Sequence, residues 1–576
     1  MNQLALSRAR ESRSAIEKMY IEMRHLFNCG GYQRLGMPGE VLTDAMLDLR
    51  PEIYGSLGDP DKVELDGLVY VIDRLPKGIE SSRFIRLISE EGYRNSGFEV
   101  VVPASRRRNC YPVDNDNMLI EVTRGKSEIY DILTHLTFMF MEAEKIRKHA
   151  LNDHDELTHD WRELKAIVKR NEPLSEEERE VGLTYLSAVL GRTFAETKNA
   201  SERLNSHAEK NSGLFHVVYG MGKLAIERHK EERRTQISFS PTLRERIGHH
   251  IFGERWADQI KGQLLAHQLL DRPLHIISAN MHSVMNCLYA YPALSNSFGK
   301  DITIEELALE LRQSQNKPLM EKVRKFAHQK GAITLNEHAG TQIGVQIFDT
   351  AKLPHKKLSF ELDMDEEYLR TEKPVIIVMD YAFGEQAFET MDELLKPYRL
   401  GGQTYPMPVA SISIMGKAGI LHGGKGDLMI PNAHIFEGTA DNYPFENDFE
   451  IDDFQGEGVT VFEGPMISVM GTSLQNRDVL AYFRNSSWKA IGLEMEGAHY
   501  QKAIQAHTRI RNNISEDVVL RYAYYASDNP LITGSTLASG SLGEIGVKPT
   551  YLITRKILNK ILQPASSNAN IPVKEG

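Results

Sequence analysis

Two glutamates and an aspartate carry the clearest chemical pattern in this 576-residue chain. Glu494 and Glu496 flank Met495 in WKAIGLEME, where a strand-like run closes and a helix begins, and Asp528 closes a second run, VVLRYAYYASD. Side chains alternate along a strand, so Glu494 and Glu496 are expected on one side. Like charges facing the same way are costly in a core and suit a cleft that binds hydroxyl groups. If the two strand ends are neighbours, the carboxylates meet in one cleft, where one can stay ionised while another is held protonated by its surroundings. Taken singly, each acid also reads as a surface strand end or a charge at a helix N-terminus.

Other chemistries find less support. GILHGGKG (419–426) nearly spells a phosphate-binding loop, but Gly426 stands where a Ser or Thr hydroxyl would hold Mg²⁺. The DLMIPNAHI that follows reads as a strand, not as the helix whose N-terminus would cradle phosphates. The glycines instead suit a tight turn or a close approach of backbone to ligand. No HExxH occurs, the twenty histidines form no recognised ligand spacing, and no GxSxG elbow is present. His282 and His422 stand beside strand ends and Cys287 lies in an apolar helix, all three fitting structural roles. Neither a metal nor a cofactor is expected.

The elements that must position these residues divide the chain. Residues 1–250 read as a mainly helical α+β domain. GLVYVIDRLP (67–76), GFEVVVPAS (97–105) and NMLIEVTRG (117–125) are expected strands, being β-branched and bounded by Gly, Pro or Asp. SEIYDILTHLTFMFMEAEKIRKHAL (127–151) and LSEEEREVGLTYLSAVLG (174–191) are expected helices, the second opening on a Ser175/Glu178 capping box and stopping at Gly191. The charged ERHKEERRTQ (227–236) reads as the approach to a boundary. Residues 251–565 change character, as buried strands alternate with helices in RPLHIISANMHSVMNCLYA, KPVIIVMDYAFGEQAFETMDELL and VASISIMGKAGIL. That alternation indicates an α/β domain with ligands at the carboxyl ends of its strands. Residues 566–576 read as a disordered tail.

Composition sets the outer limits. With 41% hydrophobic and 26% charged residues and a formal charge of -11, the chain is of ordinary globular type, and nucleic acid is not an expected partner. Three cysteines, Cys29, Cys110 and Cys287, lie far apart without CxxC spacing, which fits a reducing cytoplasm. No apolar run approaches the ~20 residues needed to span a bilayer, and the charged N-terminus reads as an amphipathic helix instead of a signal peptide.

Three stretches, in order, carry a family resemblance. SISIMGKAGILHGGKGDLMIPNAHIF, GTSLQNRDVLAYFRNSSWKAIGLEMEGAHYQKAI and ASDNPL resemble the glycine loop, the Met-Glu signature and the Ser-Asp motif of the nucleoside phosphorylase and nucleosidase superfamily, and within it most of all AMP nucleosidase. The resemblance covers about Arg272 to Leu562 and implies a three-layer α/β domain with a central mixed sheet. It implies cleavage of a purine N-glycosidic bond, most of all AMP to adenine and ribose 5-phosphate, and a homo-oligomer. It gives Glu496 the ribose hydroxyls, with Glu494 as its neighbour, sets Met495 against sugar or base, and makes Asp528, beside Ser527, the general acid at N7. Gly416, Lys417, Ala418 and Gly419 would line the ribose and nucleophile side, and Phe383 and Gly384 a turn of the same cleft. The chain departs from the pattern at Lys417, usually small or hydroxylic, and at Ile420, usually glycine; a lysine there could pair with a nucleotide phosphate. HTRIRNNISED reads as a loop inserted before the last strand. Purine nucleoside phosphorolysis, or nucleotide binding without turnover, are the alternatives on the same fold.

Overall fold

The computed structural model describes residues 3–33, 37–170, 172–295, 297–298, 302–336, 338–354, 358–439, 441–532 and 542–564. The expected tail, 566–576, lies outside them. The chain divides into two compact units, one of Met1–Phe252 with Glu437–Ala440 and Val469–Phe483, the other of Gly253–Phe436, Asp441–Ser468 and Arg484–Gly576.

Unit 1 carries a five-stranded sheet and most of the long helices. Its strands are β1 (Gly31–Gln33), β2 (Phe84–Ile88), β3 (Cys110–Pro112), β4 (Asn117–Glu121) and β5 (Gln236–Phe239), in the order β1-β5-β2-β4-β3. Its helices are α1 (Gln3–Cys29), α2 (Met37–Leu49), α3 (Leu65–Ile72), α4 (Lys126–Ala150), α5 (His159–Val168), α6 (Glu176–Leu190), α7 (Phe194–Asn205), α8 (Leu214–Glu231) and α9 (Pro241–Gly248). The capping box forms as expected on α6, and Gly191 ends that helix at φ 62°. Two expected strands do not form. Residues 65–72 are α3, whose first turn is capped by the Glu64 carboxylate accepting from the Asp66 and Gly67 N–H groups. Seven of its eight residues are buried, and a short run that is apolar on every side has no period to tell strand from helix. In 97–105 only Val101 pairs, through one isolated bridge to Cys110, while Val100 and Val102 are exposed. The charged 227–236 run ends α8 and leads into β5 inside unit 1, ahead of the division after Phe252. Val469–Phe483 is tied in by the Asn476 amide donating to Leu49 O (2.7 Å) and the Glu52 N–H to Gln475 O (2.9 Å).

Unit 2 is mixed α/β, built on a ten-stranded sheet and framed by helices α10 (Ile251–Ala266), α11 (Ser283–Leu294), α12 (Ile304–Arg312), α13 (Lys317–Gln329), α14 (Glu366–Thr371), α15 (Gln386–Leu395), α17 (Gly497–Gln505) and α18 (Val547–Leu562), while α16 (Arg477–Asn485) falls in unit 1 as far as Phe483. Strands β6 (Leu274–Ser278), β7 (Ala332–Leu335), β8 (Val345–Asp349) and β9 (Val375–Met379) lie to one side of a long central strand; β10 (Tyr398–Leu400) and β11 (Gln403–Tyr405) make a separate hairpin. The central strand, β12 (Val409–Ile420), is followed by β13 (Leu428–Phe436), β14 (Asn442–Pro444), β15 (Val461–Ser468), β16 (Gly492–Glu494) and β17 (Val519–Asp528). Both strand–helix repeats expected from the sequence form, β6 with α11 and β9 with α15. β12 runs unbroken through Gly416 and Lys417 to Ile420, where a loop had been expected. The expected loop at HTRIRNNISED begins instead as a π-helical turn, Ala506–Ile510, that continues α17.

Two features of the sheet position the site. β12 pairs with β6 only up to Ile414, so its last six residues overhang the end of β6. Beyond that end β16 takes over the pairing, antiparallel to β12, while β17 runs parallel to it. β17 also pairs with β13, β13 with β15, and β15 with β16, so β12, β17, β13, β15 and β16 form a closed ring of five strands. The sheet is covered by two apolar clusters. One is built from Ile412, Ile414, Ala418, Tyr522 and Tyr524 with α15 and α17, and the other from Met415, Ala523 and Tyr525 with α11 and α18.

Candidate functional site

The overhang of β12 brings the predicted residues into one neighbourhood. Gly419 pairs with Leu493 of β16 on one edge and with Asp528 of β17 on the other. With about 4.8 Å between strands, the backbones of Leu493 and Asp528 stand about 10 Å apart. A β-bulge between Ala418 and Gly419 leaves Ser527 as an extra residue and brings Asp528 opposite Gly419. Bulges re-aim side chains at the rims of barrels and beside active sites.

Glu494 is buried at 4% exposure and its oxygens are engaged. They accept from the Ser468 hydroxyl and from the backbone N–H groups of Glu496 and Gly497. The Ser468 Oγ in turn accepts from the Ala498 N–H at 2.8 Å. The first N–H groups of a helix have no partner within it, so Glu494 and Ser468 together cap α17. Burial raises the Glu494 pKa to about 7 against these stabilising donors. Glu494 therefore fixes the entry to α17 and is not a free hydroxyl acceptor, as had been expected. Gly497 is required by this packing, because a Cβ there would lie 2.3 Å from His434 Cδ2 and 2.8 Å from Glu494 Oε1.

Glu496, half-buried, stands at the N-cap position of α17, where its Oε1 accepts from the Gly384 N–H at 2.9 Å. Gly384 has φ 56°, a left-handed conformation that a glycine adopts without strain, and the Phe383 N–H is held by the Gln386 side chain at 3.1 Å. The turn after β9 thus aims a backbone donor at the carboxylate. Burial, and then the Glu494 charge, raise the Glu496 pKa to about 8. Met495 between them is half-buried.

Asp528 is fully enclosed, and its Oδ2 has no hydrogen-bond partner among the described residues. Its Oδ1 lies 2.5 Å from Ser527 Oγ, which is also 3.1 Å from Ala418 O. One hydroxyl proton cannot serve both acceptors. The Ser527 hydroxyl therefore donates to one of them at a time, and Asp528 Oδ1 is the nearer. Burial raises the Asp528 pKa, opposed by the Ser527 hydrogen bond and by the charges of Lys417 and Lys425.

Lys417 and its neighbour Gly416 point to opposite faces of the sheet. With Tyr525, its pairing partner on β17, Lys417 lines a cavity of about 550 Å³. Arg312 at the end of α12, His282 at the start of α11 and the Gly546–Val547 entry to α18 add to its wall, and no carboxylate among the described residues lines it. Neither Lys417 nor Arg312 has an ion pair among the described residues. Gly416, one residue earlier, faces away from this cavity, with Tyr381 Cε1 3.6 Å from where its Cβ would be. Sequence reasoning set His282 aside and missed Arg312, which lies far from every motif.

The model of a family described as "Family of unknown function (DUF6909)" matches residues 40–297 and 308–563. No curated protein matches the sequence. Among solved structures, the 5'-methylthioadenosine/S-adenosyl homocysteine nucleosidase of Campylobacter jejuni is similar at 9% identity, covering 50% of this chain and 98% of that one with a TM-score of 0.30. The futalosine hydrolase of Helicobacter pylori strain 26695 is similar at 12% identity, over 50% and 97%, TM-score 0.29. Purine nucleoside phosphorylase from Toxoplasma gondii is similar at 12% identity, over 51% and 93%, TM-score 0.28.

Proposed function

For this chain, which belongs to the DUF6909 family, we propose hydrolysis of a purine N-glycosidic bond, with AMP as the favoured substrate. The reading rests on one observation above the rest: Asp528 and the strand that leads to Glu496 flank the same residue, Gly419. Breaking this bond builds positive charge on the ribose ring and negative charge on the departing base. An acid at one edge would meet the charge on the departing base as it develops, and the Glu496 carboxyl at the other would accept from the ribose hydroxyls.

In this proposal Asp528, whose burial favours the protonated form, gives its proton to N7 of the base. Glu496 holds the ribose hydroxyls with the Gly384 N–H beside it, and Met495 packs against the sugar. Gly416 to Gly419 form the floor, where the missing side chain of Gly416 leaves room. Water attacks the anomeric carbon from the face opposite the base, as in other glycosidic hydrolyses.

A second reading has its own observation. Lys417, Arg312 and His282 around one cavity with no lining acid among the described residues suit a phosphate, either inorganic phosphate acting as nucleophile or the 5'-phosphate of a nucleotide. Free base is to be followed chromatographically from AMP, adenosine, inosine and methylthioadenosine, with and without phosphate. Base release from AMP that needs no phosphate supports hydrolysis, and release only with phosphate supports phosphorolysis. Saturable binding with no base released from any of the four overturns both.

A further inference from the structure

One face of the unit 1 sheet is built differently from the other. On β2, β4 and β5 the residues Ile85, Leu87, Met118, Ile120, Ile237 and Phe239 are buried. The alternate positions form two cross-strand rows on the opposite face, Gln236–Phe84–Asn117 and Ser238–Arg86–Leu119. Phe84 is 41% exposed, an unusual place for an aromatic in the middle of a sheet. Tyr93 and Phe98 from the connection after β2 stand beside these rows, their ring centroids 6.2 Å apart. Together these groups enclose a cavity of about 380 Å³.

The chemistry of the wall is specific. Three aromatic rings offer flat apolar surface, and Arg86 is the one charged side chain among the described residues of the lining. It has no ion pair among the described residues, although the chain as a whole carries a formal charge of -11. Gln236 and Ser238 add polar groups beside it. A predominantly apolar hollow with a few convergent polar groups is the usual form of a small-molecule site, and 380 Å³ is near the lower end of the range of about 300–1,000 Å³. That size suits a ligand of one or two fused rings and excludes a polymer.

We propose that the open face of the β5-β2-β4 sheet binds a small, flat, ring-containing anion, its rings against Phe84, Tyr93 and Phe98 and its negative group on Arg86. The stacking is of the aromatic–aromatic kind, and the guanidinium is suited both to pair with a carboxylate, sulfonate or phosphate and to lie flat on a ring. The site belongs to unit 1 and is independent of the chemistry proposed for unit 2.

The test uses the full chain and two fluorescent probes of similar shape, anionic 1-anilinonaphthalene-8-sulfonate and uncharged N-phenyl-1-naphthylamine. Arg86→Ala is expected to weaken the anionic probe about tenfold and leave the uncharged one within twofold, whereas Phe84→Ala weakens both at least fivefold. Arg86→Lys keeps most of the anionic affinity. Both side chains are exposed, so thermal midpoints should stay at the wild-type value, and Arg86→Lys serves as the folded reference if one does not. Lys417→Ala, in the other unit, leaves both titrations unchanged. Unchanged binding of the anionic probe in Arg86→Ala overturns the proposal, as does equal weakening of both probes, or loss of binding in Lys417→Ala alone.

Discussion

Glu496 holds its proton to about pH 8 in the fold, whereas an unfolded glutamate loses it near 4.5. Between those values the native state binds one more proton at this residue than the unfolded state does. Stability must then fall as pH rises, by roughly 1.4 kcal/mol per pH unit for this group, and level off above about 8. Glu496→Gln keeps the shape and an acceptor for the Gly384 N–H but cannot titrate. Between pH 5.5 and 6.5 Glu494 is still protonated in the fold, so removing Glu496 should take roughly 1.4 kcal/mol per pH unit off the slope. The variant should also be the more stable protein at pH 8, by an amount on the order of 2–4 kcal/mol, since no charge is forced into the site. Chemical denaturation at pH 5.5, 6.5 and 7.5, read by probes in unit 2, measures the slope. A variant that keeps the wild-type slope would show that Glu496 is ionised in the fold at neutral pH, and the upward shift attributed to its burial would fail.

Further outcomes follow from the same geometry. Asp528→Asn should lower base release from AMP by about 10²–10⁴ while nucleotide binding persists, measured by chromatography and calorimetry; retained turnover would remove Asp528 from the acid role. Gly497→Ala should destabilise unit 2 by about 1–3 kcal/mol, because His434 and Glu494 leave no space for a methyl group, and the thermal midpoint reports it. Lys417→Ala should cost about tenfold in affinity for AMP and little for adenosine, a difference of about 1.4 kcal/mol in a competition assay. Equal losses for the two ligands would mean that the cavity beside Lys417 does not read phosphate.

Legibility in the sequence followed locality. The repeats β6–α11 and β9–α15 and the capping box of α6 could be read because each is set by residues within a few positions of one another. The carboxylates at the ends of β16 and β17 were legible as a pair because strand ends in α/β sheets collect ligand groups. What lay between them was not. Nothing near Glu494 in the sequence announces Ser468, whose hydroxyl takes up one of its oxygens across two paired strands. Arg312 comes to the Lys417 cavity from a helix over a hundred residues away. The strand-like GLVYVID failed for a different reason, since burial on all sides erases the periodicity on which such readings depend.

The closed ring has a consequence for how this protein can vary. Each of its five strands is held from both edges, so a one-residue insertion in β17 would break register with β12 and β13 at once and turn every following side chain to the wrong face. Sequence drift in length must therefore collect in the connections 421–427 and 506–518, which can lengthen at small entropic cost. Relatives that differ in what they accept are expected to differ in those joints, with the pairing of Gly419 with Asp528 left untouched.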